Sequence, residues 1–188
     1  MKFEIIENAI NPALLRAAEA SWPEISWSGW HRYQGKTADK YGSLHHSLIP
    51  RACAEALNAL AESVSTRIGD SFIDYDMHAA GMHMLPPSGY LTRHIDAERH
   101  PIKTWRRTHS IVLFVNTIAE EFGGALTIGE DHIQPKFNTC VVFETADQFH
   151  EVLPLAEAAP YRKTLALFAW THDESPGRSS ANFSNMMQ

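Results

Sequence analysis

Gly89-Tyr90-Leu91-Thr92-Arg93-His94-Ile95-Asp96 is the stretch whose reading decides the fold of this chain. It follows Pro86-Pro87-Ser88, a turn signal, and its residues suit an extended strand. Residues two apart on a strand share a face, so His94 and Asp96 project side by side and can grip one ion. A histidine and an aspartate at that spacing also read as a hydrogen-bonded surface pair, because the chain holds 11 histidines. A further candidate ligand, His150, stands at the strand edge Phe149-His150-Glu151-Val152. Two imidazoles and one carboxylate occupy one face of an octahedron and leave three positions open.

The segment downstream of His150 sharpens this reading. Tyr161-Arg162-Lys163-Thr164 leads into the apolar run Leu165–Trp170. Strand alternation puts Arg162 and Thr164 on one face with Ala166 and Phe168, and turns Lys163 to the other. A planar guanidinium beside a hydroxyl suits the distal carboxylate of a dicarboxylic acid, through charge-assisted hydrogen bonds. A metal set His94, Asp96 and His150 with a late Arg162 is the pattern of a non-haem iron(II) oxygenase that takes such a co-substrate.

Outward from this centre, short β-prone runs are expected at Phe72–Leu85, Tyr90–Ile95, Ser110–Val115, Ala125–Ile128, Thr139–Phe143 and Thr164–Trp170. Gly123-Gly124 and Pro135-Lys136 punctuate them. Upstream, Phe3–Ile6 is a short strand candidate. Asn11-Pro12 reads as an N-cap and first helical residue opening a helix that Pro23 ends. Leu57, Leu60, Val64 and Ile68 repeat at helical spacing, with Gly69 as the stop. Between these helices Trp22–Ser47 is aromatic and aperiodic, and reads either as a loop over the core or as a wall of the substrate cleft. The expected class is α+β. A single domain spans residues 1–172, with 1–70 mainly helical support and 71–172 a double-sheet β core, and residues 173–188 form a polar, mobile tail.

From Met82 to Trp170 the chain resembles the prolyl-hydroxylase-like 2-oxoglutarate/iron(II)-dependent dioxygenases. The resemblance rests on Gly89–Asp96, on Ser110–Asn116 ending Phe114-Val115-Asn116, and on Gly123-Gly124-Ala125-Leu126-Thr127-Ile128. It rests equally on Ile133-Gln134-Pro135-Lys136-Phe137 with Cys140–Phe143, on His150-Glu151-Val152-x-Pro154, and on Arg162. It implies a double-stranded β-helix, or jelly roll, with supporting helices. It also implies Fe(II) on His94, Asp96 and His150, and 2-oxoglutarate as co-substrate anchored by Arg162. O2 is consumed, succinate and CO2 are released, and a substrate carbon is hydroxylated. Tyr90, Ser110 and Thr164 are the further candidate co-substrate contacts. Two positions depart from the pattern: Phe114 and Met84 stand where relatives carry tyrosines. Ser110 and Thr127 are candidates to replace the hydroxyl missing at Phe114.

Substrate contacts are sought in Ala97–His109, a basic and aromatic segment following the ligands. Arg106 or Arg107 there reads as an anchor for a substrate carboxylate or phosphate, or as a solvated arginine. Phe168 is a second candidate substrate contact. The expected function is hydroxylation of a carbon in an amino acid or peptide. The alternatives are the same chemistry on another small molecule, a cupin-type metalloprotein, or a catalytically silent jelly-roll metal-binding module. A halogenase is disfavoured by Asp96, which occupies the place a halide needs.

Composition sets the outer bounds. The chain has 188 residues, 44% hydrophobic and 20% charged, enough for one packed core. Its net charge of −6 gives no general attraction for nucleic acid, and no such partner is expected. No apolar run approaches a membrane span, and the acidic residues in MKFEIIENAI argue against a signal peptide. Cys53 and Cys140 read as buried packing residues in a reducing compartment, so a cytoplasmic enzyme is expected. The oligomeric state is left open.

Overall fold

The computed structural model describes residues 3–74, 80–145 and 147–183. Strand β1 (Phe3–Glu7) is followed by helix α1 (Pro12–Ala20), whose start is set by Asn11: its side chain accepts a hydrogen bond from the Ala13 N–H at 2.9 Å. Then come β2 (Trp30–Gln34), β3 (Ala38–Ser43), α2 (Arg51–Val64), β4 (Phe72–Ile73), β5 (Gly81–Leu85) and β6 (Tyr90–Ile95). The remaining strands are β7 (Trp105–Phe114), β8 (Leu126–Ile128), β9 (Asp131–Ile133), β10 (Thr139–Glu144), β11 (His150–Val152), β12 (Arg162–His172) and β13 (Asn182–Phe183).

All pairings are antiparallel, in the order β1-β10-β7-β12-β5-β3-β6-β11-β8-β9. The sheet curls so that its two faces bury different things. On β7, β10 and β12, Ile111, Leu113, Cys140, Val142, Leu165 and Leu167 point to the helices and meet Leu15, Cys53, Leu57 and Leu60 in one core. The alternate residues Phe114, Val141 and Phe143 point into the curl, where a second core forms with Leu126, Ile128 and Val152. This period-2 division holds the curled sheet rigid against the helices and faces Ser110, Arg162, Thr164 and Phe168 inward. Each fully buried leucine or isoleucine contributes roughly 1.5–3 kcal/mol relative to exposure. The result is the expected double-stranded β-helix. Both cysteines are buried and unpaired with one another. No helix among the described residues is long and apolar enough to cross a membrane.

Four expectations need correction. Trp22–Ser47 contains the β2–β3 hairpin, and β3 is an inner strand bridging β5 and β6. The first 70 residues therefore supply three strands as well as both helices. The run Phe72–Leu85 is broken into β4 and β5; its middle, 75–79, lies outside the described residues. Strand β7 begins at Trp105, so the segment Ala97–His109 is loop only over its first part.

The tail is also docked as far as it is described. Asn182 and Phe183 pair with Ile95 and His94 of β6. The Arg178 carbonyl accepts from the Glu98 and Arg99 N–H groups at 2.8 and 2.9 Å, and the Arg178 guanidinium lies 2.6 Å from a Glu98 oxygen. A polar sequence without apolar periodicity gave no sign of this, because the tail binds through backbone and charge.

Candidate metal centre

Strand β6 carries the first two residues of the site, and its geometry depends on one irregularity. His94 lies opposite His150, but Leu91 lies opposite Val152, so β6 has one residue more than β11 over the same span. This β-bulge resets the alternation. Leu91, His94 and Asp96 line one cavity, while the Tyr90 hydroxyl donates to the Gly35 carbonyl at 2.8 Å. Tyr90, expected at the co-substrate, is turned away by the bulge.

The ligand atoms of His94, Asp96 and His150 all lie within 4.8 Å of one another. His94 Nε2 is 3.6 Å from one Asp96 oxygen, and His150 Nε2 is 3.8 Å from the other. Each ring holds its other nitrogen on a backbone carbonyl: His94 Nδ1 on Thr92 at 2.8 Å, His150 Nδ1 on Gln148 at 3.2 Å. A carbonyl only accepts, so each Nδ1 carries the proton and each Nε2 presents a lone pair toward the other two residues. Burial pushes the His150 imidazole down to about 4, against the pull of Asp96, and so keeps it neutral. Burial works to raise the Asp96 carboxyl, but His150, His94 and Arg107 outweigh it and hold the group well below the usual carboxylate range. Two imidazoles with Nε2 turned to the site and an ionised carboxylate on one wall are a donor set that fits Fe(II).

Asp96 has two further partners. Ser110 Oγ donates to it at 2.7 Å, and Arg107 lies 3.3 Å from the same oxygen. The Arg107 guanidinium sits 3.7 Å from the Phe168 ring centroid and 5.1 Å from that of Trp170. Arg107 is thus buried, not solvated: one of its terminal nitrogens is on Asp96, while its Nε finds no acceptor among the described residues. The pairing of β7 explains this: Ala169 lies opposite His109 but Trp170 opposite Arg107, so β7 carries one extra residue there, and the shift turns Arg107 to the same face as Ser110. Arg106, the other candidate, pairs with Glu98 and Asp173. Thr127 faces His132 rather than the cavity.

Arg162 stands deeper, at the start of β12. It is 2% exposed, has no ion pair among the described residues, and its Nε finds no hydrogen-bond acceptor. Its guanidinium lies 5.1 Å from the Phe114 ring centroid, and burial pushes its pKa down to about 9. Gly124, at φ +72°, brings the backbone against its stem; a Cβ there would stand 3.5 Å from Arg162 Cδ and closer still to Leu155. Arg162, Thr164, Ser110, His94, Asp96 and His150 share a deep cavity of about 110 Å³. It opens into an outer cavity of about 630 Å³ walled by the β2–β3 hairpin, Phe168, Ala181 and Phe183. The Phe183 ring stacks on His94, with centroids 5.1 Å apart.

Three residues at these cavities carried no sequence signal: Lys40, His83 and Phe183. Lys40 sits in the hairpin read as an aperiodic segment. His83 is one of 11 histidines and no ligand spacing singles it out, and Phe183 lies in the tail. The alternation of Ala38, Lys40 and Gly42 toward the outer cavity would have been readable only with β3 recognised as a strand.

Residues 79–172, half of the chain, match the model of the 2OG-Fe(II) oxygenase superfamily. No curated protein sequence matches significantly. Among solved structures, the chain is similar to a viral collagen prolyl hydroxylase of Paramecium bursaria Chlorella virus-1 in complex with 2OG. The TM-score is 0.64 at 12% identity, covering 91% of this chain and 97% of that one. A prolyl-4-hydroxylase of Pseudomonas putida gives 0.63 at 19% identity, covering 94% and 92%. A prolyl hydroxylase of Trichoplax adhaerens, in complex with a hypoxia inducible factor oxygen degradation domain peptide fragment, gives 0.58 at 17%, covering 90% and 83%. At these identities the structural likeness speaks for the fold.

Proposed function

Since the chain belongs to the 2OG-Fe(II) oxygenase superfamily, an enzyme class that uses Fe(II), 2-oxoglutarate and O2, we propose that it hydroxylates a carbon of an amino acid or peptide. The observation that carries this reading is one deep cavity holding both a two-histidine, one-carboxylate set and a buried, unpaired arginine. The prolyl hydroxylases among the structural neighbours, one of them with a peptide, support the substrate class.

In this reading His94 Nε2, His150 Nε2 and one Asp96 oxygen hold the iron. The carbonyls of Thr92 and Gln148 fix the two rings in the tautomer that can bind it. Ser110 and Arg107 hold the second Asp96 oxygen, so the carboxylate presents a defined edge instead of rotating. Arg162, with Thr164 beside it, receives the distal carboxylate of 2-oxoglutarate; the aromatic ring of Phe114 supports the guanidinium in place of a hydroxyl. When loaded, the centre supplies oxidative decarboxylation of the co-substrate to succinate and CO2, with insertion of the other oxygen atom into a C–H bond. Phe183 and Phe168 shield the centre from bulk water. Free buried thiols and an iron(II) centre suit a reducing compartment, and we propose the cytoplasm.

The test is succinate release from 2-oxoglutarate under air with Fe(II), screened against amino acids and peptides, with mass spectrometry for a product one oxygen heavier. His150→Ala and Asp96→Ala should abolish both iron binding in anaerobic titration and succinate release. Full-strength iron binding by His150→Ala would refute the ligand assignment, and a wild type that neither binds nor turns over 2-oxoglutarate would refute the reaction.

A further inference from the structure

Lys40 is the second cation of the cavity without an anionic partner. Its side chain is half-buried, on the inward face of β3 with Ala38 and Gly42. It lines both the deep cavity and the outer one, between Arg162 and the mouth. Among the described residues it makes no hydrogen bond and no ion pair; the Tyr33 ring, with its centroid 5.4 Å from Nζ, is its one cation–π contact. The nearby carboxylate, Asp96, is already engaged by Ser110 and Arg107.

Charge decides what this lysine is for. Asp96 and Arg107 compensate each other. A metal dication and the 2-oxoglutarate dianion together bring no net charge. Arg162 and Lys40 then leave two net positive charges in one enclosed space; the distal carboxylate, already in that count, sits on Arg162 and leaves Lys40 with no anion beside it. An enclosed ammonium without a counter-ion is unfavourable, and an incoming anion relieves that cost. Burial lowers the Lys40 pKa, Asp96 pulls it up, and Arg162 pushes it further down, as expected of a lysine awaiting a negative charge.

Building on the hydroxylase reading, we propose that Lys40 binds a carboxylate of the primary substrate, so that the substrate is a small free acid of the amino-acid class and not an internal residue of a polypeptide. An internal residue with a neutral side chain offers this position only an amide, whose dipole cannot neutralise an ammonium; an internal Asp or Glu is the exception, and end-blocked peptides that carry one test it. The outer cavity, about 630 Å³, lies within the range of small-molecule sites, and Ala181 and Phe183 of the docked tail wall one side of it. A carboxylate resting on Lys40 sets the carbon skeleton beside the triad, because Lys40, His94 and Asp96 line the same cavity.

The experiment uses the full chain loaded with Fe(II). Free amino acids are compared with their carboxamides and with peptides blocked at both ends, in substrate-stimulated succinate release and in anaerobic calorimetry with 2-oxoglutarate present. Free acids should bind and stimulate turnover while their amides do not. Lys40→Met should weaken the free acid about 10- to 100-fold, the loss of one charge-assisted hydrogen bond, and Lys40→Arg should restore part of it. Titration of 2-oxoglutarate alone separates this from failure of the hydroxylase reading, which would already appear in the wild type. The proposal is overturned if amides or blocked peptides work as well as free acids, or if no carboxylate in the panel binds or stimulates. It is equally overturned if the loss in Lys40→Met falls on 2-oxoglutarate instead of on the second substrate.

Discussion

Replacing Arg162 by methionine should change stability and co-substrate affinity in opposite directions. In the free protein the guanidinium is 2% exposed, lacks an ion pair among the described residues and leaves Nε without an acceptor. Burial pushes its pKa down to about 9, which corresponds to roughly 5 kcal/mol as the upper size of the cost of holding that charge. Methionine keeps most of the packing over Phe114 and removes the charge. The metal-free Arg162→Met protein should therefore melt no lower than wild type, and each kcal/mol recovered would raise Tm by about 2–4 °C. Binding of 2-oxoglutarate should fall by roughly 2–5 kcal/mol, because a carboxylate would enter the cavity without its partner. That is a loss of about 30- to 5000-fold. Iron affinity should hold, since arginine is not a ligand. Lys163→Ala is the internal control: that lysine is on the opposite face of β12, its ammonium 5.9 Å from the Trp22 ring centroid. Differential scanning fluorimetry and anaerobic calorimetry measure the two quantities. An Arg162→Met protein that is clearly less stable yet binds 2-oxoglutarate normally would refute the assignment and make Arg162 a packing residue.

Two further predictions follow from groups the sequence did not single out. His83 is pushed down to about 3 by burial and by Lys40 and Arg162, against Asp96, and His150 is pushed to about 4. The unfolded chain therefore takes up these protons first, so the metal-free protein should lose stability as pH drops from about 6.5 toward 3, by up to ~1.4 kcal/mol per pH unit for each group. His83→Gln should flatten that slope in urea titrations, and an unchanged slope would show that His83 does not contribute. Ending the chain at His172 should leave the helix–sheet core and iron binding intact, since neither apolar core includes a described residue beyond Trp170. It should also raise the KM of the primary substrate and the uncoupled consumption of 2-oxoglutarate, because Phe183 and Ala181 are lost from the cavity wall. Wild-type coupling in the truncated protein would show the tail to be irrelevant to the site.

What could be read in the sequence was whatever period-2 alternation writes down. Strand β6 falls where Tyr90–Ile95 was expected, and β7, β10 and β12 divide their residues between two apolar cores as alternation requires. The same rule brought Arg162 and Thr164 to one face and turned Lys163 away. It failed where its premise failed. Tyr90, a candidate co-substrate contact, would share a face with His94 in an unbroken strand, but the extra residue of the bulge inverts the alternation, and the hydroxyl points to Gly35. Arg107 lies in the basic and aromatic segment Ala97–His109, which shows no alternation, whereas pairing with Trp170 across a register shift draws it into β7 and onto Asp96.

The larger omission has the same physical origin. Four of the five residues of β2 are exposed, so no buried side alternates with a solvent side, and the hairpin leaves no hydrophobic period to detect. Strand β3 does alternate, but between the cavity and the helix-side core. Its cavity face, Ala38, Lys40 and Gly42, is small or polar because it borders a space kept for ligands. The tail docks through Arg178 and two strand residues, and Phe183 is the one large apolar side chain among its described residues. The iron-binding half of the site rests on ligands whose chemistry restricts each position to a few residue types. The substrate half is built from a hairpin and a tail that obey no packing period, and so it emerges only when the fold brings Lys40 and Phe183 to the same cavity as His94.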